Sequence, residues 1–288
     1  MDESQLKAFV AINKQGSFTA AANSLHLTQP AISKRISALE LQLGSPLFDR
    51  VGRNTRLTDT GYKLLPLAEN MLISFSNLRK TADNMKQEIT GSLSLGTSHH
   101  IGLHRLPPVL RQYTKLYPDV ELALHFVDSE DGVKGVESGE LEMAIITLPA
   151  NIPESLSASR VWDDPLALVV GKMHKLAGQD SIAVEELANY EAILPGINTY
   201  TRALLEEKLA LSGHKLRVGL STNFLETNKM MASIGLGWTI LPETMLDETV
   251  VKIGIKNIYL RRKLGYVTHN DMTLSNATKA MIDLLDSI

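Results

Sequence analysis

The sequence predicts a chain in two parts: an all-α head carrying a small β-hairpin and a long following helix, then an α/β body. Three observations predict it. Over the first sixty positions apolar residues recur at helical spacing with capping residues between the runs; over residues 64–89 a narrow apolar stripe alternates spacings of four and three; beyond Gly91 short apolar strands alternate with helices. At 288 residues and 44% hydrophobic side chains, the chain can build two or three globular units.

In the head, Leu6, Phe9 and Val10 mark a first helix, which Gln15-Gly16-Ser17 interrupts, Gly ending one helix and Ser capping the next. The second helix puts Phe18, Ala21, Ala22 and Leu25 on one face, and its alanines admit a close neighbour. Thr28 caps a third helix, Pro30 is tolerated in its first turn, and Ile32, Ile36, Leu39 and Leu43 form its apolar stripe before Gly44 closes it. With that stripe buried, Pro30, Lys34 and Ser37 lie opposite, with Gln29 and Ser33 beside them and Arg35 at the margin. Gln offers a donor-acceptor pair matching adenine, and Ser or Lys reaches phosphate or a guanine edge, so this is the candidate recognition helix of a helix-turn-helix. Leu47-Phe48-Asp49-Arg50, a turn at Gly52-Arg53-Asn54, and Thr55-Arg56-Leu57 read as a hairpin with arginines near its tip, a wing. Pattern alone equally allows an ordinary helical subdomain with a solvated polar face.

From Thr58, an N-cap, the long helix carries Leu64, Ala68, Met71, Phe75, Leu78, Ala82, Met85 and Ile89. So narrow a stripe suits helix-helix pairing, and hence dimerisation, better than packing on the chain's own core. Pro66 is expected to kink the helix or cost it one hydrogen bond.

In the body, strands are expected at Leu93–Gly96, Val120–Phe126, Met143–Ile146, Leu166–Val170, Ala192–Leu194, Arg217–Leu220, Trp238–Leu241 and Leu264–Thr268, with helices between them and a last helix at Ala277–Leu285. Ligands of open α/β sheets bind where strand C-termini meet helix N-termini. The polar residues at those junctions are Thr97, Ser98, His99 and His100; Thr147; Asn198, Thr199, Tyr200 and Thr201; and Thr222 with Asn223. Each alone fits a simple helix cap, but together they point to a cleft for a small polar or anionic molecule.

Composition removes several function classes. With no Cys, disulfides, thiolate metal sites and thiol catalysis are excluded, and a reducing cytoplasm is the expected setting. The acidic, polar start and the lack of any apolar run near the ~20 residues of a membrane span predict neither signal peptide nor membrane contact. Residues 1–90 hold 11 Lys+Arg against 8 Asp+Glu and residues 91–288 hold 18 against 24, so only the head favours phosphate. His100 and His104 have a metal-chelating spacing, but His100 reads as preceding the helix and no carboxylate joins them, so no metal and no cofactor is expected. Gly235-x-Gly237 lacks a third glycine, and neither a nucleophile elbow nor a phosphate loop is present. Arg261-Arg262-Lys263 reads as a solvated strand end.

The string Gly16-Ser-Phe-Thr-Ala-Ala-Ala, then Leu27-Thr-Gln-Pro-Ala-Ile-Ser-Lys-Arg-Ile, Leu39-Glu, Leu43-Gly, Leu47-Phe-Asp-Arg, Arg53 and Leu57-Thr-Asp-Thr-Gly61 resembles the LysR-type regulator signature over its whole length, departing at Thr60, where the family commonly has Ala. The resemblance implies a winged helix-turn-helix over residues 1–60, a linker and dimerisation helix over 61–90, and an effector-binding domain over 91–288 resembling type 2 periplasmic binding proteins. In that domain the chain crosses near Arg160 from a first lobe (about 91–160 and 265–288) to a second (about 161–264) and returns near Leu264. It implies DNA contacts from Thr28, Gln29, Pro30, Ser33, Lys34 and Arg35, with Arg50, Arg53 and Arg56 on backbone or minor groove, and places Ser221–Glu226 at one wall of the cleft. The implied partners are double-stranded DNA bearing an interrupted inverted repeat in a promoter region, a small effector, a second copy of the chain as homodimer or homotetramer, and RNA polymerase. The expected function is a transcription regulator switched by its effector, and no enzyme. A solute-binding protein or enzyme on the two-lobed fold would leave residues 1–60 unexplained, and an architectural DNA binder would carry more positive charge than a pI near 6.3 allows.

Overall fold

The computed structural model describes residues 1–51, 54–86, 88–210 and 216–288, which divide into two compact units, Met1–Gln87 with Asp271–Ser275, and Glu88–Asn270 with Asn276–Ile288. In the first unit, α1 (Glu3–Gln15) starts at a capping box: the Asp2 carboxylate accepts from the Gln5 N–H and the Gln5 side chain accepts from the Asp2 N–H, an arrangement worth about 1 kcal/mol. Gly16, at φ +69°, closes α1 in the left-handed conformation that glycine adopts without strain. Next come α2 (Phe18–Ser24), capped by the Ser17 hydroxyl, and α3 (Gln29–Leu43), capped by Thr28. β1 (Phe48–Val51) and β2 (Asn54–Leu57) pair antiparallel with Phe48 opposite Leu57, and α4 (Asp59–Asn84), capped by Thr58, runs on through Pro66.

Leu6, Phe9, Ile12, Ala21, Ile32, Ile36, Leu39 and Leu47 are fully buried or nearly so, with Phe9 and Phe18 packing edge-on to Phe48. The long helix divides its apolar stripe. Leu64, Ala68 and Phe75 pack on this core, whereas Met71, Leu78, Ala82 and Met85 are exposed. The helix stops at Asn84, so Met85 is its C-cap, and Ile89 joins the core of the second unit. Arg79 bonds bidentately to Glu3, at 3.1 Å and 2.5 Å, tying α4 to α1. The segment after Asn270, expected with the body, belongs to this unit because Asn77 bonds its backbone twice, Nδ2 donating to the Asp271 carbonyl and Oδ1 accepting from the Thr273 N–H.

The second unit contains β3 (Gly91–Thr97), α5 (His99–His104), α6 (Leu106–Leu116), β4 (Val120–Phe126), α7 (Ser129–Glu137), β5 (Met143–Thr147), β6 (Leu156–Gly171), β7 (Ser181–Ile182), α8 (Val184–Leu187), β8 (Glu191–Leu194), α9 (Tyr200–Ala210), β9 (Arg217–Ser221), α10 (Leu225–Ser233), β10 (Thr239–Pro242), β11 (Val250–Ile255), β12 (Leu260–His269) and α11 (Asn276–Asp286). The main sheet runs β4-β3-β5-β12-β6-β11-β7, with β10 also on β6, while β8 and β9 form a separate parallel pair. Among the described residues, two smaller apolar clusters, around Val136 with Ile146 and around Val169 with Leu241, accompany two large cores in this unit. One large core gathers Leu93, Leu95, Ile101, Tyr113, Met143, Ile145 and Met281, and the other Leu168, Val170, Leu205, Ile240, Ile253 and the fully buried Trp238.

Among the described residues, only β6 and β12 serve both large cores. Tyr266 to His269 pair with Ser159 to Leu156 beside the first, Leu260 pairs with Leu166 beside the second, and the register shifts between Leu264 and Gly265. At Gly265 a Cβ would sit 2.0 Å from the Ser159 carbonyl oxygen, which is why this bend admits no side chain. Trp162, opposite Leu264 and half-buried against the first core, marks the crossing. β6 begins ten residues before the expected Leu166, because Asp164, which breaks the apolar pattern, is itself buried with partners.

Candidate DNA-reading face and effector cleft

On α3 the buried stripe of Ile32, Ile36 and Leu39 turns Gln29, Pro30, Lys34 and Ser37 outward, all exposed, with Ser33 and Arg35 half-buried at the margins. Gln29 Nε2 donates to Ser33 Oγ at 3.0 Å, so the pair is pre-set one turn apart at the helix start. Thr28 is exposed but spends its hydroxyl on the cap, accepting from the Ala31 N–H. Glu40 anchors the hairpin to this helix: its Oε1 accepts from the Leu47 N–H at 2.7 Å and from the Phe48 N–H at 3.4 Å. Arg50 stands on β1 opposite Thr55, and Arg56, exposed on β2, stands opposite Asp49. Arg53, predicted at the hairpin tip, lies outside the described residues.

In the second unit a cavity of about 480 Å³ opens where strand ends of both cores meet helix starts. Of the predicted residues, Ser98, His99, His100, Thr147, Thr199, Tyr200, Thr201 and Asn223 line it, and Thr97, Asn198 and Thr222 do not. Thr97 is fully buried and donates its hydroxyl to the Ile145 carbonyl at 3.0 Å, so it braces the sheet. Asn198 is exposed on the preceding loop, and the Thr222 carbonyl accepts from Asn228 Nδ2.

The structure adds an acidic wall that pattern reading missed. Asp128, Ser129, Glu130 and Asp131 follow β4, a strand end as favourable as the others, and line the same cavity. Their carboxylates reach donors on the opposite lobe: Asp128 Oδ2 accepts from Asn223 Nδ2 at 2.6 Å, and Glu130 Oε1 accepts from the Tyr200 N–H at the start of α9. Asn223 Oδ1 in turn accepts from the Gly196 N–H at 2.8 Å. Burial pushes the Glu130 carboxyl above its usual range, against the opposing pull of the Tyr200 amide. Ser129 Oγ accepts from the Thr147 N–H, fixing one wall to β5.

Arg262 corrects the expectation of a solvated charge run. Along β12, Leu260, Arg262 and Leu264 alternate inward while Arg261 and Lys263 face solvent. Arg262 is 6% exposed, donates through Nε and Nη2 to Asp164 at 3.0 and 2.6 Å, and through Nη1 to the Thr201 hydroxyl at 2.9 Å. Asp164, fully buried, also accepts from Arg105 Nη2 at 3.3 Å, giving a carboxylate held between two guanidiniums, one of which, Arg262, lines the cavity.

The histidines also differ from expectation. His100 lies within α5, and a carboxylate does join the group: Glu226, from the first turn of α10, lies 2.9 Å from His104 Nε2 and 3.4 Å from His99 Nδ1. No local pattern could show this, since 122 residues separate His104 from Glu226. Burial, then the nearby Arg262 charge, lowers the His100 imidazole to about 4, so it is neutral at physiological pH. For Glu226 burial acts upward, but its own backbone N–H and His104 outweigh it and hold the carboxyl below its ordinary value.

Comparison with known proteins covers both units. Residues 4–62 match the family described as bacterial regulatory helix-turn-helix protein, lysR family, and residues 86–287 match the LysR substrate binding domain. A probable RuBisCO transcriptional regulator of Synechocystis sp. is 30% identical over 288 residues, covering 96% of this chain and 84% of that protein. A full-length OxyR variant from Pseudomonas aeruginosa superposes with a TM-score of 0.71 at 22% identity, over 99% of this chain and 94% of that one. The effector binding domain of QuiR, solved in complex with shikimate, superposes at 0.62 and 20% identity over 68% and 95%. At those identities the two structures establish a shared fold.

Proposed function

The chain belongs to the LysR family of bacterial helix-turn-helix regulators, and from that premise we propose that it reads a promoter-borne inverted repeat as a dimer or tetramer and responds to a small polar or anionic effector taken into the cleft. One observation carries the reading: a single chain joins a unit whose α3 presents Gln29, Ser33, Lys34 and Arg35 outward to a separate unit with a strand-end cavity of about 480 Å³. That volume falls in the size range of small-molecule sites, roughly 300–1,000 Å³. Gln29 and Ser33 address base edges, while Lys34, Arg50, Arg53 and Arg56 hold the backbone. The exposed Met71 and Leu78 on α4, with Met85 at its C-cap, are the self-association surface. Cytoplasmic location and contact with RNA polymerase accompany this role, and among the described residues no helix is long and apolar enough to cross a membrane.

The switch works through the acidic wall. The Glu130 carboxylate already occupies the Tyr200 amide, so an effector carboxylate or hydroxyl takes that donor in its place and resets how the two lobes hold each other. Selection and footprinting of genomic fragments at near-physiological salt tests the reading: a discrete inverted repeat supports it, and binding without sequence preference overturns it.

A further inference from the structure

The body holds a second set of convergent ligands beside the effector cavity. His100 and His104, one helical turn apart on α5, bring their rings to a centroid distance of 4.9 Å, and Glu226 approaches from α10 in the other lobe. One ligand atom from each of the three lies within 4.8 Å of the others. His100 is 5% exposed and neither of its ring nitrogens has a hydrogen-bond partner, while the Glu226 Oε2 atom makes no hydrogen bond and has His99 Nδ1 at 3.4 Å. Leaving buried polar atoms unsatisfied costs about 1–3 kcal/mol each, so a closed helix position occupied by a bare imidazole needs a compensating ligand.

We propose that His100, His104 and Glu226 form a binding site for a divalent transition-metal ion of borderline softness, with zinc as the representative, that ties the two lobes together at the edge of the cleft. Two imidazoles and one carboxylate are a donor set matched to zinc, cobalt(II) or nickel(II). Calcium and magnesium take oxygen shells, and copper(I) takes sulfur, which the set lacks. Among the described residues, the guanidinium that bears on His100 is that of Arg262, whose charge Asp164 already neutralises at 2.6 Å. His104 and Glu226 touch each other directly at 2.9 Å, so the ion replaces a contact that already spans the lobes and holds them where it finds them. Because His100 also lines the effector cavity, metal and effector binding are coupled through one side chain.

The test is a titration of the chelator-treated full-length protein with zinc by calorimetry, and with cobalt(II) by visible absorption, which reports inner-sphere ligation. One ion per chain is expected, with a tetrahedral or five-coordinate cobalt band. His104→Ala and Glu226→Gln, both at partly exposed positions whose loss the fold tolerates, are each expected to weaken binding by about tenfold or more, whereas His125→Ala, at an exposed position of β4, leaves it unchanged. Melting curves of the metal-free variants confirm that they are folded. Absence of saturable binding, or binding of the same strength in either variant, overturns the proposal, and neither result bears on DNA recognition.

Discussion

Removing the Asp164 carboxylate tests whether the buried charges of the body form one unit. Asp164→Ala strips three charge-assisted bonds, two from Arg262 and one from Arg105, and leaves the 6%-exposed Arg262 without a counter-charge. Breaking a buried pair in this way costs about 3–5 kcal/mol. For a body of roughly 200 residues, each kcal/mol lowers Tm by about 2–4 °C, so a fall of about 6–20 °C is expected. Replacing both partners, Asp164→Leu with Arg262→Leu, removes the stranded charge as well as the pair and is expected to recover most of that loss. Calorimetric or urea melts of the full chain, following the transition of the body, supply the measurement. A single substitution that costs less than about 1 kcal/mol, or a double one as unstable as the sum of its parts, would show that Asp164 does not hold the arginines.

Further outcomes follow from the other surfaces. Arg56→Ala should weaken binding to every DNA sequence and reduce the salt slope by about one, whereas Gln29→Ala should relax preference at a single base position; equal effects in a binding-selection assay refute the division of roles. Leu78→Asp, at a side chain 71% exposed, should dissociate the oligomer without unfolding the chain, and a variant that sediments like the wild type and still footprints rules out the α4 seam. Gly61→Ala should destabilise the head, since its Cβ would meet the Leu47 carbonyl at 2.2 Å; an unchanged melt shows that the hairpin yields. Because burial raises the Glu130 carboxyl in the folded body, its ionised form carries a cost that is absent below the unfolded value near 4.5 and complete above the folded one. Body stability should therefore fall as pH rises through that interval, and Glu130→Gln should flatten the profile; an identical profile in the variant refutes it.

Elements written in local pattern were legible before any coordinates. The stripe of Ile32, Ile36 and Leu39 and the caps Ser17, Thr28 and Thr58 act over three or four residues, so spacing alone reveals them. Strand-end logic found Ser98, Thr199 and Asn223 for the same reason, because a cleft at a sheet edge is assembled from repeated local junctions. What escaped depends on partners distant in sequence. Arg262 and Asp164 stand 98 positions apart, and each taken singly looks like a solvated charge. The acidic residues after β4 find their partners far along the chain, Asp128 meeting Asn223 95 positions on and Glu130 meeting Tyr200 70 positions on. The apolar stripe of α4 could not reveal how it divides, since a helix presents the same spacing to its own core and to a partner.

The two tryptophans turn the body into its own optical gauge. Trp162 sits at the register shift where β6 and β12 pass from one core to the other, and Trp238 is sealed inside the second. The head contains none. Intrinsic emission excited in the indole band therefore reports the body alone, and a rearrangement of the lobes registers as a spectral shift from Trp162 against the constant background of Trp238, with Trp162→Phe as the blank. Occupancy of the cleft can thus be followed in solution with no dye attached.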